Sequence, residues 1–246
     1  MPVPGFIAGF ASAFLGIGGG VVLVPSLVLF FDYEVKKAVG TSLATIVPAA
    51  LVGVATNYLI KSDNIRFAAA LLIVLGAIAG AKLGAVIANK ISGRLLKTLF
   101  AVLLLFVGLK QMGVLNIPTG RIANIDAYPL LIILGLVAGM SSALFGIGGG
   151  IVMVPALSLL FGLSMHQAIA TSLTVIVPTA LAGAVFHSRL DNINIGAMRF
   201  LMPASLVGAV LGAVISNRLS PDILQFIFGI LLIACAVKMA VPSKLP

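Results

Sequence analysis

Apolar residues run through this chain in long blocks, and polar residues gather only in the gaps. The blocks of the first half cover residues 3–15, 21–31, 35–60, 65–89 and 92–112. Blocks this long, without strict alternation, predict helices that are apolar on every side. At about 1.5 Å per residue, the third, fourth and fifth are each long enough to cross about 30 Å of hydrocarbon. The first two are each too short to cross alone. Asp63 and Asp191 stand just ahead of apolar blocks and are predicted to cap the helices there, as are Ser92 and Ser220.

The second half repeats the first. A shift of 130 residues lays residues 5–50 on 135–180 with roughly half the positions identical. Gly16-Ile17-Gly18-Gly19-Gly20 falls on Gly146-Ile147-Gly148-Gly149-Gly150, and Val24-Pro25 on Val154-Pro155. Thr41-Ser42-Leu43 falls on Thr171-Ser172-Leu173, and Ile46-Val47-Pro48 on Ile176-Val177-Pro178. Beyond Ile60 the shift becomes 128 and places Asp63-Asn64-Ile65 on Asp191-Asn192-Ile193. Such internal repetition predicts two copies of one unit. The first spans 1–113, the second 128–246, and residues 114–127 form a polar linker carrying Pro118 and Gly120.

The glycine cluster between the first two blocks makes them either one interrupted crossing or a re-entrant hairpin. A crossing gives four spans per copy and parallel repeats. A hairpin gives three spans per copy and inverted repeats. With Lys82 set aside as intramembrane, the parallel arrangement splits the remaining Lys and Arg eight to six. The inverted arrangement puts nine on one side: Lys36, Lys37, Lys90, Arg94, Lys97, Arg189, Arg199, Lys238 and Lys244. It leaves Lys61, Arg66, Lys110, Arg121 and Arg218 on the other. Positive residues concentrate on the cytoplasmic side, so the charge bias favours inverted repeats with both termini in the cytoplasm. The expected fold is an all-α polytopic membrane protein. Each repeat holds a glycine-broken half-helix hairpin and three spanning helices.

Composition supports a lipid environment. Of 246 residues, 61% are hydrophobic and only 9% charged, against about 25% charged in a soluble domain. Mean hydropathy is +1.25. Twenty-seven glycines suit close helix packing in a bilayer, where apolar surface gives no drive between helices. The net charge of +9 is scattered along the chain. It forms no basic stripe with interleaved aromatics, which argues against nucleic acid as a partner. Met1-Pro2-Val3-Pro4 lacks the basic region of a signal peptide, so the first block reads as part of the mature protein. The single Cys235, in an apolar run, reads as a small core residue.

Candidate chemistry centres on the two glycine clusters. Irregular backbone survives at membrane depth only when buried in protein or lining a polar cavity. A half-helix beginning after Gly18-Gly19-Gly20 or Gly148-Gly149-Gly150 would turn free N–H groups and a positive dipole end towards an anion. Broken helices at matching places in two repeats point to a transporter's binding site. The competing reading is tight packing alone. Gly16, Pro25 and Pro48, with Gly146, Pro155 and Pro178, are the expected helix-breaking residues. Thr41, Ser42, Thr171 and Ser172 could donate to an oxyanion or bond back to their own helices. Lys82 could snorkel to water or attract an anion. His187, opposite Asn57 in the other copy, could relay protons or sit as an interfacial polar residue. All six acids fall at block ends or in loops. No spacing of His, Cys and acids suggests a metal site, a cofactor or a catalytic set, so no enzyme activity is expected.

At Gly16–Gly20, Val24-Pro25, Thr41-Ser42, Pro48 and their repeated copies, the sequence resembles the sulfite exporter TauE/SafE family, over nearly the whole chain. The resemblance implies a transporter in the cytoplasmic membrane that moves sulfite, sulfoacetate or another small sulfur-containing anion. An anion channel and a membrane-embedded enzyme or accessory subunit are the alternatives.

Overall fold

The computed structural model describes residues 1–88, 101–102, 105–115, 127–145 and 148–240. All regular structure among these is helical. In the first copy α1 is Pro2–Leu15, α2 Gly20–Phe31, α3 Val35–Ile60 and α4 Phe67–Ala88, with a short 3-10 turn at Ser62–Asn64. In the second, α5 is Tyr128–Phe145, α6 Gly150–Leu159, α7 Met165–Arg189, α8 Ile195–Arg218 and α9 Pro221–Ala240. Ser92, most of its block and the linker from 116 to 126 lie outside the described residues. Four described stretches are long and apolar enough to cross a membrane: Lys36–Ile60, Ser62–Ala81, Met165–Arg189 and Ile195–Arg218.

Local sequence explains the helix ends. Pro2 opens α1, where its missing N–H costs nothing. Gly16 ends the helix in the left-handed conformation, φ 68°, with its N–H on the Ser12 carbonyl. Ser164 and Gln167 cap α7 reciprocally. The Ser220 hydroxyl accepts the Ile223 N–H at the head of α9, as the sequence predicts. Asp191 does not cap α8. It holds a left-handed φ of 57° in the turn after α7, and the cap falls to Asn194, whose Oδ1 accepts the Ala197 N–H at 3.0 Å. Asp63 sits within the 3-10 turn. The prolines do not break helices either. Pro25, Pro48, Pro155 and Pro178 lie inside α2, α3, α6 and α7, which run on through them. Neighbouring helices hold the backbone in register, so each proline removes one bond and leaves the helix continuous.

The packing is exchanged between the copies. α1 lies along α8, α5 lies along α4, and α3 packs against α7 between them. Glycines set the two outer contacts. A Cβ on Gly5 or Gly9 would strike the backbone of Leu201 or Ser205, and one on Gly208 or Gly212 that of Phe6 or Phe10. Gly76 and Gly80 meet Ile132 and Leu136 in the same way, and Gly135 and Gly139 meet Ile73 and Ala77. Backbones in such contact gain dispersion energy that lipid cannot match. Ile17, Leu23, Leu131, Leu173 and Ile176 fill the interior, while Phe30, Leu59 and Phe200 are 75%, 83% and 60% exposed. An outer surface this apolar belongs in hydrocarbon.

Candidate functional site

The short helices α2 and α6 both start from a glycine turn. Gly18 and Gly19 have φ of 83° and 65°, and Gly148 and Gly149 of 79° and 76°, a region that only glycine enters without strain. Gly146 and Ile147 lie outside the described residues. The two turns touch. A Cβ on Gly148 would lie 3.7 Å from the Gly18 Cα, and one on Gly150 would collide with the Gly16 carbonyl and with Ile17. The heads of two half-helices therefore meet, and Gly16–Gly20 and Gly148–Gly150 are all buried. The turns use some of their own donors. The Gly20 N–H reaches the Gly18 carbonyl, Val22 and Leu23 donate to Gly19, and Val152 and Met153 donate to Gly149.

Thr41, Ser42, Thr171 and Ser172 are all fully buried. Three of them bond to the opposite copy and not to their own helix. Thr41 Oγ1 accepts the Asn194 N–H at 3.0 Å, and Thr171 Oγ1 accepts the Arg66 N–H at 3.2 Å. The Ser172 hydroxyl donates to the Gly16 carbonyl at 2.8 Å. Bonding back along the helix falls instead to Thr45, Thr174 and Thr179. The Ser42 hydroxyl is buried with no hydrogen-bond partner.

Sequence reasoning passed over Ser12. Its hydroxyl is fully buried and also lacks a hydrogen-bond partner. A Cβ on Gly19 would lie 3.4 Å from the Ser12 Cβ, so this hydroxyl stands beside the first glycine turn. Its identity with Ser142 across the repeat was the available signal. Buried hydroxyls without partners are uncommon in folded proteins and call for an explanation.

Asn57 and His187 occupy different settings. Asn57 is buried and belongs to a ladder of amides. Its Nδ2 donates to the Gly53 carbonyl, its Oδ1 accepts from Asn217 Nδ2 at 2.8 Å, and Asn64 Nδ2 donates to Asn217 Oδ1 at 3.2 Å. His187 lies beside Gly40, at the other end of α3, where a Cβ on Gly40 would come within 2.9 Å of the His187 Cβ. Near that end Asn194 also joins Tyr33, whose hydroxyl accepts from Asn194 Nδ2 at 2.9 Å. The Lys82 side chain lies outside the described residues. The described acids hold helix ends and connections: Asp32 closes α2, Glu34 precedes α3, Asp63 and Asp191 lie in turns, and Asp222 opens α9.

Comparison with known proteins points to membrane transporters. The sequence model of the family described as "Sulfite exporter TauE/SafE" matches residues 1–111 and 131–246. The "Probable membrane transporter protein YunE" of Bacillus subtilis is 29% identical over 96% of this chain and 95% of its own length. The "Probable membrane transporter protein MJ0441" of Methanocaldococcus jannaschii is 30% identical over 94% of this chain and 90% of its own. The "Probable membrane transporter protein YdhB" of Bacillus subtilis is 26% identical over 89% of this chain and 91% of its own. No solved structure matches. With the family matched over nearly its whole length, this multi-pass helical chain belongs to the sulfite exporter TauE/SafE family of membrane transporters.

Proposed function

We propose that this protein carries a small sulfur-containing oxyanion, sulfite or an organosulfonate such as sulfoacetate, across the cytoplasmic membrane. The anion would bind where the two glycine turns meet. The observation that carries this reading is the Ser12 hydroxyl, buried without a partner beside a half-helix head that itself abuts a second one. Two positive dipole ends and an unused donor in a buried interior suit an acceptor-rich anion. Gly18, Gly19, Gly20 and Gly148, Gly149, Gly150 form its walls, with Thr41, Ser42, Thr171 and Ser172 around them. The burial of both turns supports a carrier over an open pore.

The same reading takes the copies as inverted, with both termini cytoplasmic. Under parallel repeats, the end of α3 and the end of α8 would lie on opposite faces of the membrane. The Asn64–Asn217 and Asn57–Asn217 hydrogen bonds require them to be neighbours. The Tyr33–Asn194 bond makes the same demand at the other end. These pairings support inversion.

The test is flux in liposomes containing only this protein, run over sulfite, sulfonates, sulfate and thiosulfate. Saturable uptake of a sulfur oxyanion is the expected result. No flux of any member of the panel would sink the substrate assignment.

A further inference from the structure

Near the amide ladder the protein surface opens into a cavity of about 630 Å³, between the turn after α3 and the adjoining ends of α7, α8 and α9. Lys61, Asp63, Asn64, Arg66, His166 and Asn217 are among the residues that line it. Lys61, Asp63 and Arg66 are exposed, whereas Asn64 is buried. His166 Nε2 lies 3.1 Å from the Ser216 carbonyl, which ties α7 to α8 across the cavity. The cavity wall leads inward. The Arg66 N–H bonds Thr171, and the next residue, Ser172, bonds Gly16 at the first glycine turn.

We propose that this cavity is a capture vestibule, a second and weaker binding site where a small oxyanion is held before it moves to the glycine turns. Its chemistry fits that class of ligand. The lining holds two cations, Lys61 and Arg66, and one carboxylate, Asp63, so the wall carries a net positive charge. Asn64 Nδ2 uses one N–H on Asn217 and has a second to give. Asn217 Nδ2 spends both hydrogens on Asn57 and Ala213, so the amide ladder anchors Asn217 in the cavity lining. A concave wall of one dominant sign concentrates the opposite ion and speeds its arrival. Asp63 on the same wall keeps the hold weak enough for the ion to leave.

This inference rests on the oxyanion reading above, and its test separates the two. Initial rates of sulfite flux in proteoliposomes are measured against concentration, at low and high ionic strength. Lys61→Gln with Arg66→Gln should raise KM on the order of tenfold, leave kcat near the parent value, and flatten the salt dependence of KM. Asp63→Asn should do the reverse and lower KM. Arg66→Lys should keep most of the parent behaviour, because the charge persists, while the backbone bond to Thr171 is common to both substitutions. A double variant with parental KM and parental salt dependence overturns the vestibule and leaves the glycine site standing. A fall in kcat with KM unchanged also overturns it, since that marks a structural role. If the parent protein moves no member of the anion panel, both readings fall.

Discussion

The backbone N–H of Asn194 donates to the hydroxyl oxygen of Thr41 over 3.0 Å, joining the head of α8 to the second turn of the other copy's long helix α3. Thr171 does the same for Arg66 at the head of α4. Each hydroxyl accepts and so keeps its own hydrogen for another acceptor. Thr41→Val and Thr171→Val remove the acceptor with little change of shape and leave a backbone donor short of its partner. Each should cost about 1–3 kcal/mol, read as a lowered midpoint of thermal unfolding in detergent. Thr→Ser at either site should restore the midpoint. Parental stability in both valine variants would mean that these bonds contribute nothing.

The glycine turns need a gentler probe than a bulky side chain. A Cβ on Gly19 or Gly149 would come within 2.6 Å or 2.9 Å of the Ala8 or Ala138 carbonyl oxygen of the preceding helix, so Gly19→Val and Gly149→Val should fail to fold. At Gly148 the nearest atoms stand at ordinary contact, 3.7 Å. Gly148→Ala should fold at a cost of about 1 kcal/mol for its positive φ, yet bind sulfite more weakly in a direct titration. If it folds and binds as the parent does, this turn lies outside the site.

Inversion makes a topological forecast. A cysteine placed beside Asp126 should react with an impermeant reagent added outside the cell, and one beside Lys244 only from the inside. Reaction of both from one face would return the copies to a parallel arrangement.

Coupling should survive without any single carboxylate. Asp32, Glu34, Asp63, Asp191 and Asp222 all sit at helix ends or in turns, away from the midplane where proton relays work. Neutralising each in folded protein should leave the ion dependence of flux intact, and so should His187→Ala. One well-folded variant that transports but has lost its coupling ion would refute this.

Helix limits were legible because they are local. Apolar blocks ended where Gly16, Asp32 and Ile60 stop helices, and the shift of the repeat located both glycine turns. Partners were not legible. Nothing in the order of residues says that Gly9 will lie on Ser205, or that Asn217 will bridge Asn57 and Asn64. Those choices are made between elements far apart in the chain, by which backbones approach most closely. The roles of Thr41 and Thr171 depend on the same distant pairing. Ser12 went unremarked because an isolated serine in an apolar helix looks like any small residue until its surroundings show that its hydroxyl has no acceptor.

The exchange of α1 onto α8 and of α5 onto α4 has a consequence for biogenesis. At about 5–20 residues per second of synthesis, α1 must wait on the order of ten seconds or longer for its seat on α8 to emerge. Through that interval the notches at Gly5 and Gly9 face lipid or an insertion factor. A nascent chain stopped at the linker would hold two unmatched surfaces, one on α1 and one on α4. Neither could close on its own half, and a second truncated chain would offer no α8 to receive α1. Maturation of the first copy is therefore contingent on translation of the second.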